Sequence, residues 1–421
     1  MAGNTEGFFS VYDVASGISE AIDYISTELN NHHQKVAYIS YSIAKEMNIP
    51  YDEINDIVLG AMLHDIGVFS LEERKKVIYS FFNDNDFDHH QKMGYKLLKD
   101  FDPYQNAAEL IKHHHAHYDL SLDEVPIGSY IIHLADRLTI LFDYNDEILK
   151  QVPNIMDSID KNREMFHPDT VSALHEIAKM EYFWIETFSI PYKDVLSEKL
   201  HYPKIAMDLD VLRSLAKVIS KIVDFRSSFT ATHSNGVAAV AKELTAISGF
   251  SERECRLMEI AGYFHDLGKL GISNDILEKR GALDYEEFNE MRKHPYYTYS
   301  ILSEIEGFED IAKWAAFHHE RLDGNGYPFH IKGDDFSKLA RIMAVADIVT
   351  AITEDRPYRL GMDSDKALEI LEGMVDSGEI DKGTVDIVKD NFTRINEIRV
   401  SAQNEELEEY ISFYQGAIDL A

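Results

Sequence analysis

Cysteine is nearly absent. Cys255 is the single thiol in 421 residues, so no internal disulfide framework exists and the fold must hold without one. A lone thiol of this kind fits a reducing compartment, and it reads as an inert, partly buried residue rather than a nucleophile. Basic charge is scarce too: 41 Lys and Arg stand against 74 Asp and Glu, for a net charge of −33. That balance excludes non-specific binding to a DNA or RNA polymer and docking on an anionic membrane. It is compatible with a small anionic substrate, because bound divalent metals reverse the local field. No run of 18 apolar residues occurs and no signal-peptide pattern follows Met1, so a soluble cytoplasmic protein is expected.

Proline and strand-like alternation are also rare. The 10 prolines fall mostly at expected helix boundaries, as at Pro50, Pro103, Pro191 and Pro203. Between them, segments such as Val211–Val223, Val237–Ser248 and Arg253–Phe264 carry apolar residues at three- and four-residue spacing, which predicts amphipathic helices. The expected fold class is all-α. The length suits two domains rather than one core.

The chain repeats itself. His32 to His64 and His233 to His265 are both intervals of 32 residues, and His90 to His114 and His294 to His318 are both 24. Gly60-Ala61-Met62-Leu63-His64-Asp65-Ile66-Gly67 mirrors Ala261-Gly262-Tyr263-Phe264-His265-Asp266-Leu267-Gly268, and Leu134-Ala135-Asp136 answers Val345-Ala346-Asp347. Two tandem copies of one helical domain follow, residues 1–200 and 201–421, with the boundary near Ser197–Lys204. Leu141–Leu200 is expected to complete the first copy and form a helical connector. Val385–Tyr414 is expected to form one or two long acidic helices on the second.

The second copy is rich in metal-ligating side chains. His233, His265, Asp266, His294, His318, His319 and Asp347 supply five imidazoles and two carboxylates. Such a set suits iron, manganese, zinc or nickel and suits calcium poorly. Seven ligands exceed the need of one open-sided ion; they suit two ions sharing a bridging carboxylate, which the adjacent His265-Asp266 pair is placed to provide. Two such ions clamp a phosphate and acidify a water into a nucleophile. Lys269 is expected on the same helical face as His265 and Asp266, where its ammonium can neutralise a phosphate; seen alone, it would read as a solvated charge. Gly324, Gly326 and Pro328 make a turn that no helix tolerates, so the segment after the His pair is expected to wall the metals. Tyr327 can stack on a base, Arg321, Lys332 and Arg341 are nearby cations, and Arg356-Pro357-Tyr358-Arg359 can add charge at the mouth.

The run His265-Asp266-Leu267-Gly268-Lys269, then His294-Pro295, then His318-His319-Glu320-Arg321-Leu322-Asp323-Gly324-Asn325-Gly326-Tyr327-Pro328, then Ala340-Arg341-Ile342 and Asp347 closely resembles the HD-GYP family. The resemblance covers roughly Leu212–Asp390. It implies HD-type helical domains with a two- or three-metal centre, usually iron or manganese. It also implies phosphodiesterase activity on a cyclic dinucleotide, giving a linear dinucleotide and, in a second round, mononucleotides. By that likeness the seven residues above are ligands, Asp266 and Lys269 serve catalysis, and Lys269 contacts the scissile phosphate. Arg321, Asp323, Gly326, Tyr327, Pro328 and Arg341 are expected on the substrate side. Family members with three metals carry a Glu four residues before the first ligand His. Here that position is Phe229, so two divalent ions are expected, iron or manganese first, with nickel, zinc or magnesium as alternatives.

In the first copy His32, His64, Asp65, His90, His114, His115 and Asp136 occupy the corresponding positions, with Glu28 four residues before His32. Val68 answers Lys269, Tyr130 answers Arg341, and the Gly-Tyr-Pro turn is missing. The copy therefore reads as non-catalytic: a metal- or ligand-binding regulator, or a scaffold. The substrate is expected to be cyclic di-GMP or 3′,3′-cyclic GMP-AMP. A broader HD-type nucleotide phosphohydrolase and a non-catalytic sensor are the competing readings. A homodimer or a signalling-protein partner is compatible with the duplicated domains.

Overall fold

The computed structural model describes residues 8–23, 31–68, 88–119, 125–189, 192–200, 204–206, 208–226, 231–279, 281–355 and 360–418. Phe229, Glu28, Pro191, Pro203 and the Arg356–Arg359 segment lie outside the described residues. The chain divides into two compact units, Ser10–Lys204 and Ile205–Leu420, the latter joined by Met1–Phe9. Helices dominate both. The described strands are two of three residues each, β1 (Phe8–Ser10) and β2 (Lys204–Ala206), which pair in one small sheet. No described helix is long and apolar enough to cross a membrane.

The first unit runs through α1 (Val11–Asp23), α2 (His32–Glu46), α3 (Tyr51–Leu63), α4 (Asp88–Leu98), α5 (Gln105–Ile111) and α6 (Ile127–Ile140). It continues with α7 (Ile148–Lys161), α8 (Pro168–Ile177), α9 (Glu181–Ser189) and α10 (Tyr192–Lys199). Helix α2 is the axis and packs on α3 and α6. Its Val36, Ala37, Ile39 and Ile43 are fully buried, at the spacing that puts them on one face. Pro153 lies inside α7 rather than at a boundary.

The second unit comprises α11 (Leu209–Asp224), α12 (His233–Ile247), α13 (Glu252–Phe264), the short α14 (Asn274–Leu277) and α15 (Tyr285–Met291), α16 (His294–Ser303), α17 (Glu309–Ala316), α18 (Lys338–Thr353), α19 (Ser364–Asp376) and α20 (Lys382–Ile418). Helix α12 repeats the part of α2: it packs on α13 and α18 through Val237, Ala238, Val240 and Leu244. It also packs on α20, which runs to Ile418 with a break in helical geometry at Asn391. Side-chain caps fix several starts. Ser251 and Glu254 form a reciprocal capping box on α13, and Ser337 Oγ accepts from Ala340 N at 3.3 Å on α18.

One sequence expectation changes here. The helix expected to carry Lys269 ends earlier: α13 stops at Phe264, and Lys269 lies on a tight 3₁₀ turn, Leu267–Gly271. The cause is a close backbone approach. A Cβ built on Gly268 would meet the His294 carbonyl oxygen at 1.9 Å, so the chain crosses the start of α16 at a distance only glycine permits. Gly67 does the same in the first unit, where a Cβ would meet the His90 carbonyl oxygen at 2.1 Å.

Candidate metal centre

Each of the seven expected ligands in the second unit sits where a helix begins, ends or passes through the centre. His233 opens α12, His265 and Asp266 follow the end of α13, His294 opens α16, and His318 and His319 form a turn after α17. Asp347 projects from the middle of α18. The structure brings all seven into one cluster, buried except for the half-buried His319. His233 Nε2 lies 3.1 Å from Asp347 Oδ1 and His265 Nε2 lies 4.0 Å from the same oxygen. Asp266 faces two ways: its Oδ2 is 3.2 Å from His265 Nε2, while its Oδ1 is 3.4 Å from His294 Nε2 and 3.9 Å from His318 Nε2. His233, His265 and Asp347 form one group able to hold an ion, and His294, His318 and His319 form another; Asp266 lies between them.

The hydrogen bonds fix how these rings can act. His265 Nδ1 donates to the Gly262 carbonyl at 2.7 Å, His294 Nδ1 to Met291 O at 2.7 Å, and His318 Nδ1 to Ala315 O at 2.7 Å. A carbonyl only accepts, so the proton stays on Nδ1 and the lone pair of the neutral ring is on Nε2, aimed inward. Burial depresses His294 to about 3 and His318 to about 4, and holds His319 well below its ordinary value, so all three are neutral near pH 7. The Nε2 atoms of His294 and His318 then face each other at 3.2 Å with no proton between them. Two lone pairs so placed repel unless a cation takes both. His265 Nε2 and Asp266 Oδ1 are fully buried with no hydrogen-bond partner, a cost that folding tolerates where an ion completes the site. The donor set and these orphaned atoms fit divalent metal.

The surroundings are anionic and tightly held. Burial opposes ionisation of Asp266 and Asp347, but the neighbouring imidazoles, with Lys269 beside Asp266, hold both carboxyls well below the usual range. Lys269 Nζ lies 2.5 Å from Asp266 Oδ2, and its side chain is 17 % exposed. Burial pulls its charge down, yet Asp266, then Asp347 and Asp224, outweigh that and raise it above its ordinary value. It is a fixed cation at the edge of the centre. Arg226 sets its position, donating from Nη1 to the Lys269 and Leu270 carbonyls at 2.9 and 3.0 Å and from Nη2 to Ile272 O at 3.1 Å.

The Gly-Tyr-Pro turn covers one side. Tyr327 lies 4.9 Å from the His319 ring and donates its backbone N–H to His319 O at 3.1 Å. Arg292 stacks over Tyr327 at 5.1 Å. Asn289, Arg292, Lys293, Tyr296, Tyr297, Tyr327 and Pro328 line a cavity of about 430 Å³. Gly324 holds φ +77°, left-handed geometry that glycine adopts without strain, and a Cβ built on Gly326 would meet Arg321 N at 2.4 Å. Arg321 pairs with Glu379 at 3.0 Å, and Asp323 caps its own turn by accepting from Asn325 N at 2.8 Å. Arg341 donates from Nε to Phe336 O and from Nη2 to Gly333 O, both at 2.6 Å, and lies 3.6 Å from Asp381. Its guanidinium ties the loop before α18 together.

Three residues were given no role by sequence reasoning. Glu354 accepts from His233 Nδ1 at 3.0 Å and from Gln403 Nε2 at 3.0 Å, forming a carboxylate–imidazole relay into the centre. Buried Glu320 accepts three backbone N–H groups, from Phe329 at 2.6 Å, His330 at 3.2 Å and Ile331 at 3.0 Å, and so pins the turn. Arg226 is the third. Only Glu320 had a signal, its place directly after the His pair.

The first unit rebuilds the cluster. His32 Nε2 lies 3.2 Å from Asp136 Oδ1, His64 Nε2 is 3.5 Å from Asp65 Oδ2 and 3.7 Å from Asp136 Oδ1, and His90 and His114 Nε2 are 3.7 and 4.0 Å from Asp65 Oδ1. His115 joins His90, His114 and Asp65 in one group, with its Nδ1 accepting from Arg137 Nη2 at 2.8 Å. Val68 ends the turn where the second unit has Lys269.

Fold and sites together define a tandem HD-domain protein. Residues 30–141 and 217–383 each match a family model described as an HD domain, and the motif of the second copy is of the HD-GYP type. The chain is 26% identical over 402 residues to the 3′3′-cGAMP-specific phosphodiesterase 1 of Vibrio cholerae, covering 91% of this chain and 92% of that protein. It is 32% identical over 254 residues to phosphodiesterase 3 of the same series and organism, 59% of this chain and 54% of that one. The cyclic di-GMP phosphodiesterase response regulator RpfG of Xanthomonas campestris is 36% identical over 155 residues, 36% of this chain and 41% of that one. A crystal structure of the cyclic GMP-AMP specific phosphodiesterase V-cGAP3 of V. cholerae shares the fold, with a TM-score of 0.64 at 22% identity over 94% of this chain and 98% of that chain.

Proposed function

We propose that the second unit is a metal-dependent phosphodiesterase that opens a cyclic dinucleotide, 3′,3′-cyclic GMP-AMP or cyclic di-GMP, to a linear dinucleotide. The observation that carries this is Asp266, whose two oxygens face two separate imidazole groups while Lys269 stands at its edge. Two divalent ions, iron or manganese in the first place, would supply a clamp for the phosphate oxygens and an acidified water. His233, His265 and Asp347 would hold one, His294, His318 and His319 the other, and Asp266 both.

The chain's own residues do the rest. Lys269 meets the phosphate charge as it grows in the transition state, where a fixed cation near a buried site acts without reorganising. Glu354 orients His233, and Arg226 and the Gly268 crossing hold the Lys269 turn. Tyr327, Tyr296 and Arg292 give the adjoining cavity aromatic faces and a planar cation, which suit stacking with a base. The names and near full-length coverage of the Vibrio relative favour the cyclic GMP-AMP substrate. The first unit, lacking the lysine and the Gly-Tyr-Pro turn, serves as a regulatory or scaffolding domain, and the single thiol suits a reducing compartment such as the cytoplasm.

The test is turnover of cyclic di-GMP and 3′,3′-cyclic GMP-AMP side by side, with the full chain supplied with manganese or iron(II). Hydrolysis of at least one, abolished by Asp266→Ala, is expected. Hydrolysis of neither, or full activity in the variant, would overturn the assignment.

A further inference from the structure

We propose that the first unit holds a metal centre of its own, in which His33 is a donor introduced in place of the lysine that stands beside the catalytic centre. The His–Asp contacts match pair for pair. His90 and His114 Nε2 face each other at 3.3 Å, as His294 and His318 do at 3.2 Å. The inner rings are oriented by the same backbone bonds: His64 Nδ1 donates to Ala61 O at 2.8 Å and His114 Nδ1 to Ile111 O at 2.7 Å, so both turn Nε2 lone pairs inward. His64 Nε2 and Asp65 Oδ1 are buried without a hydrogen-bond partner, the same two atoms as His265 Nε2 and Asp266 Oδ1. A residual scaffold released from metal binding would be expected to bond or replace them, since burying polar atoms without partners is unfavourable.

The differences between the copies converge on one carboxylate oxygen. In the second unit Asp266 Oδ2 receives the Lys269 ammonium, and Ser234 is turned away, donating from its N and Oγ to Asp224 at 3.1 and 3.0 Å. In the first unit Val68 removes the ammonium and His33 replaces the serine. His33 is fully buried; its Nδ1 bonds Asp23 Oδ1 at 2.6 Å and its Nε2 lies 4.0 Å from Asp65 Oδ2. Asp23 is the counterpart of Asp224, so the carboxylate is retained while its partner changes from a hydroxyl to an imidazole. A carboxylate–imidazole relay aimed at a shared carboxylate is how metal-ligating histidines are held. His33, His64 and Asp65 lie close enough to ligate one ion. A second exchange balances it. Arg137 stands where the second unit has Ile348, and its Nη2 donates to His115 Nδ1. A guanidinium only donates, so the His115 proton sits on Nε2 and that ring offers no inward lone pair. The donor set thus shifts from His115 to His33 without shrinking, and the fixed cation that would meet a phosphate is gone. Such a centre suits a resident ion, not turnover.

Cobalt(II) titration of the metal-free full chain, followed by its visible absorption, tests this without any substitution. Saturation well above the roughly two ions a binuclear centre takes is expected; saturation at about two or fewer overturns the proposal. A second arm loads manganese into Asp266→Ala and Asp65→Ala and measures what survives desalting. Each should lose its own share and keep the other. Wild-type metal content in Asp65→Ala, or a metal-free Asp266→Ala that circular dichroism shows folded, overturns it. His33→Gln should weaken one class of cobalt site by about tenfold or more and alter its spectrum; an unchanged titration and spectrum removes His33 from the centre.

Discussion

Replacing Lys269 with methionine removes one charge from the edge of the catalytic centre and little volume. Two estimates bound the effect. A unit charge about 4 Å from a phosphate is worth roughly 1 kcal/mol in bulk water and about 4 kcal/mol at the effective dielectric near a protein surface. Removing one preorganised donor from an enzyme site costs about 2.7–4 kcal/mol, or about 10²–10³ in kcat. Lys269 is 17 % exposed and shares its charge with Asp266 at 2.5 Å, both of which weaken its pull on a substrate. The expected loss in kcat is therefore near the lower end, about 10²-fold. Metal should be retained, because a repelling cation has left the side of Asp266. The assay is initial-rate hydrolysis of the cyclic dinucleotide by metal-loaded protein, with metal content measured on the same sample. A loss under about threefold with metal intact would refute the clamp role, and loss of metal would show that Lys269 acts on the centre instead of the phosphate.

Glu354→Ala should weaken metal binding by about 10–100-fold, as other losses of a carboxylate behind a ligand histidine do, and a metal titration checks it. Glu320→Ala leaves three part-buried backbone N–H groups without their acceptor. At about 1–3 kcal/mol each the turn should open to water rather than strain the unit, so limited proteolysis after Arg321 and a raised KM are expected before any large fall in Tm. In metal-free protein burial opposes the charge on His233, but Glu354 and Asp347 outweigh it and raise the ring to about 10. A pKa raised above its unfolded value near 6.5 gives stability that is full below that pH and is lost as pH rises through about 10. The chelated protein should therefore become less stable between pH 7 and 10 from this group. Metal binding at pH 7 should release a proton, seen by calorimetry in two buffers of different ionisation enthalpy.

The helices, and which His and Asp residues gather in one cluster, could be read from the sequence because their signals are local or periodic. The spacing of Val237, Ala238 and Leu244, and the doubled 32- and 24-residue intervals, survive without coordinates. The supporting shell could not, for a physical reason: His233 and Glu354 are 121 residues apart, and Arg226 reaches the Lys269 carbonyl across 43. Such bonds follow no helical or strand period. Lys269 was expected in a helix because nothing in its own neighbours reveals that Gly268 must cross the His294 carbonyl. Arg341 was expected on the substrate side, and in the structure two carbonyls and Asp381 engage it. Nothing in the sequence singles out His33, and only its distances to Asp23 and Asp65 give it meaning.

Hydrolysis in ¹⁸O-labelled water tests the central claim most directly. If the second unit directs a water onto phosphorus with departure of the 3′ oxygen, the product is a linear dinucleotide whose terminal 5′-phosphate carries one ¹⁸O from solvent, and Asp266→Ala forms none. Absence of a linear product, or label located anywhere but that phosphate, would contradict the account.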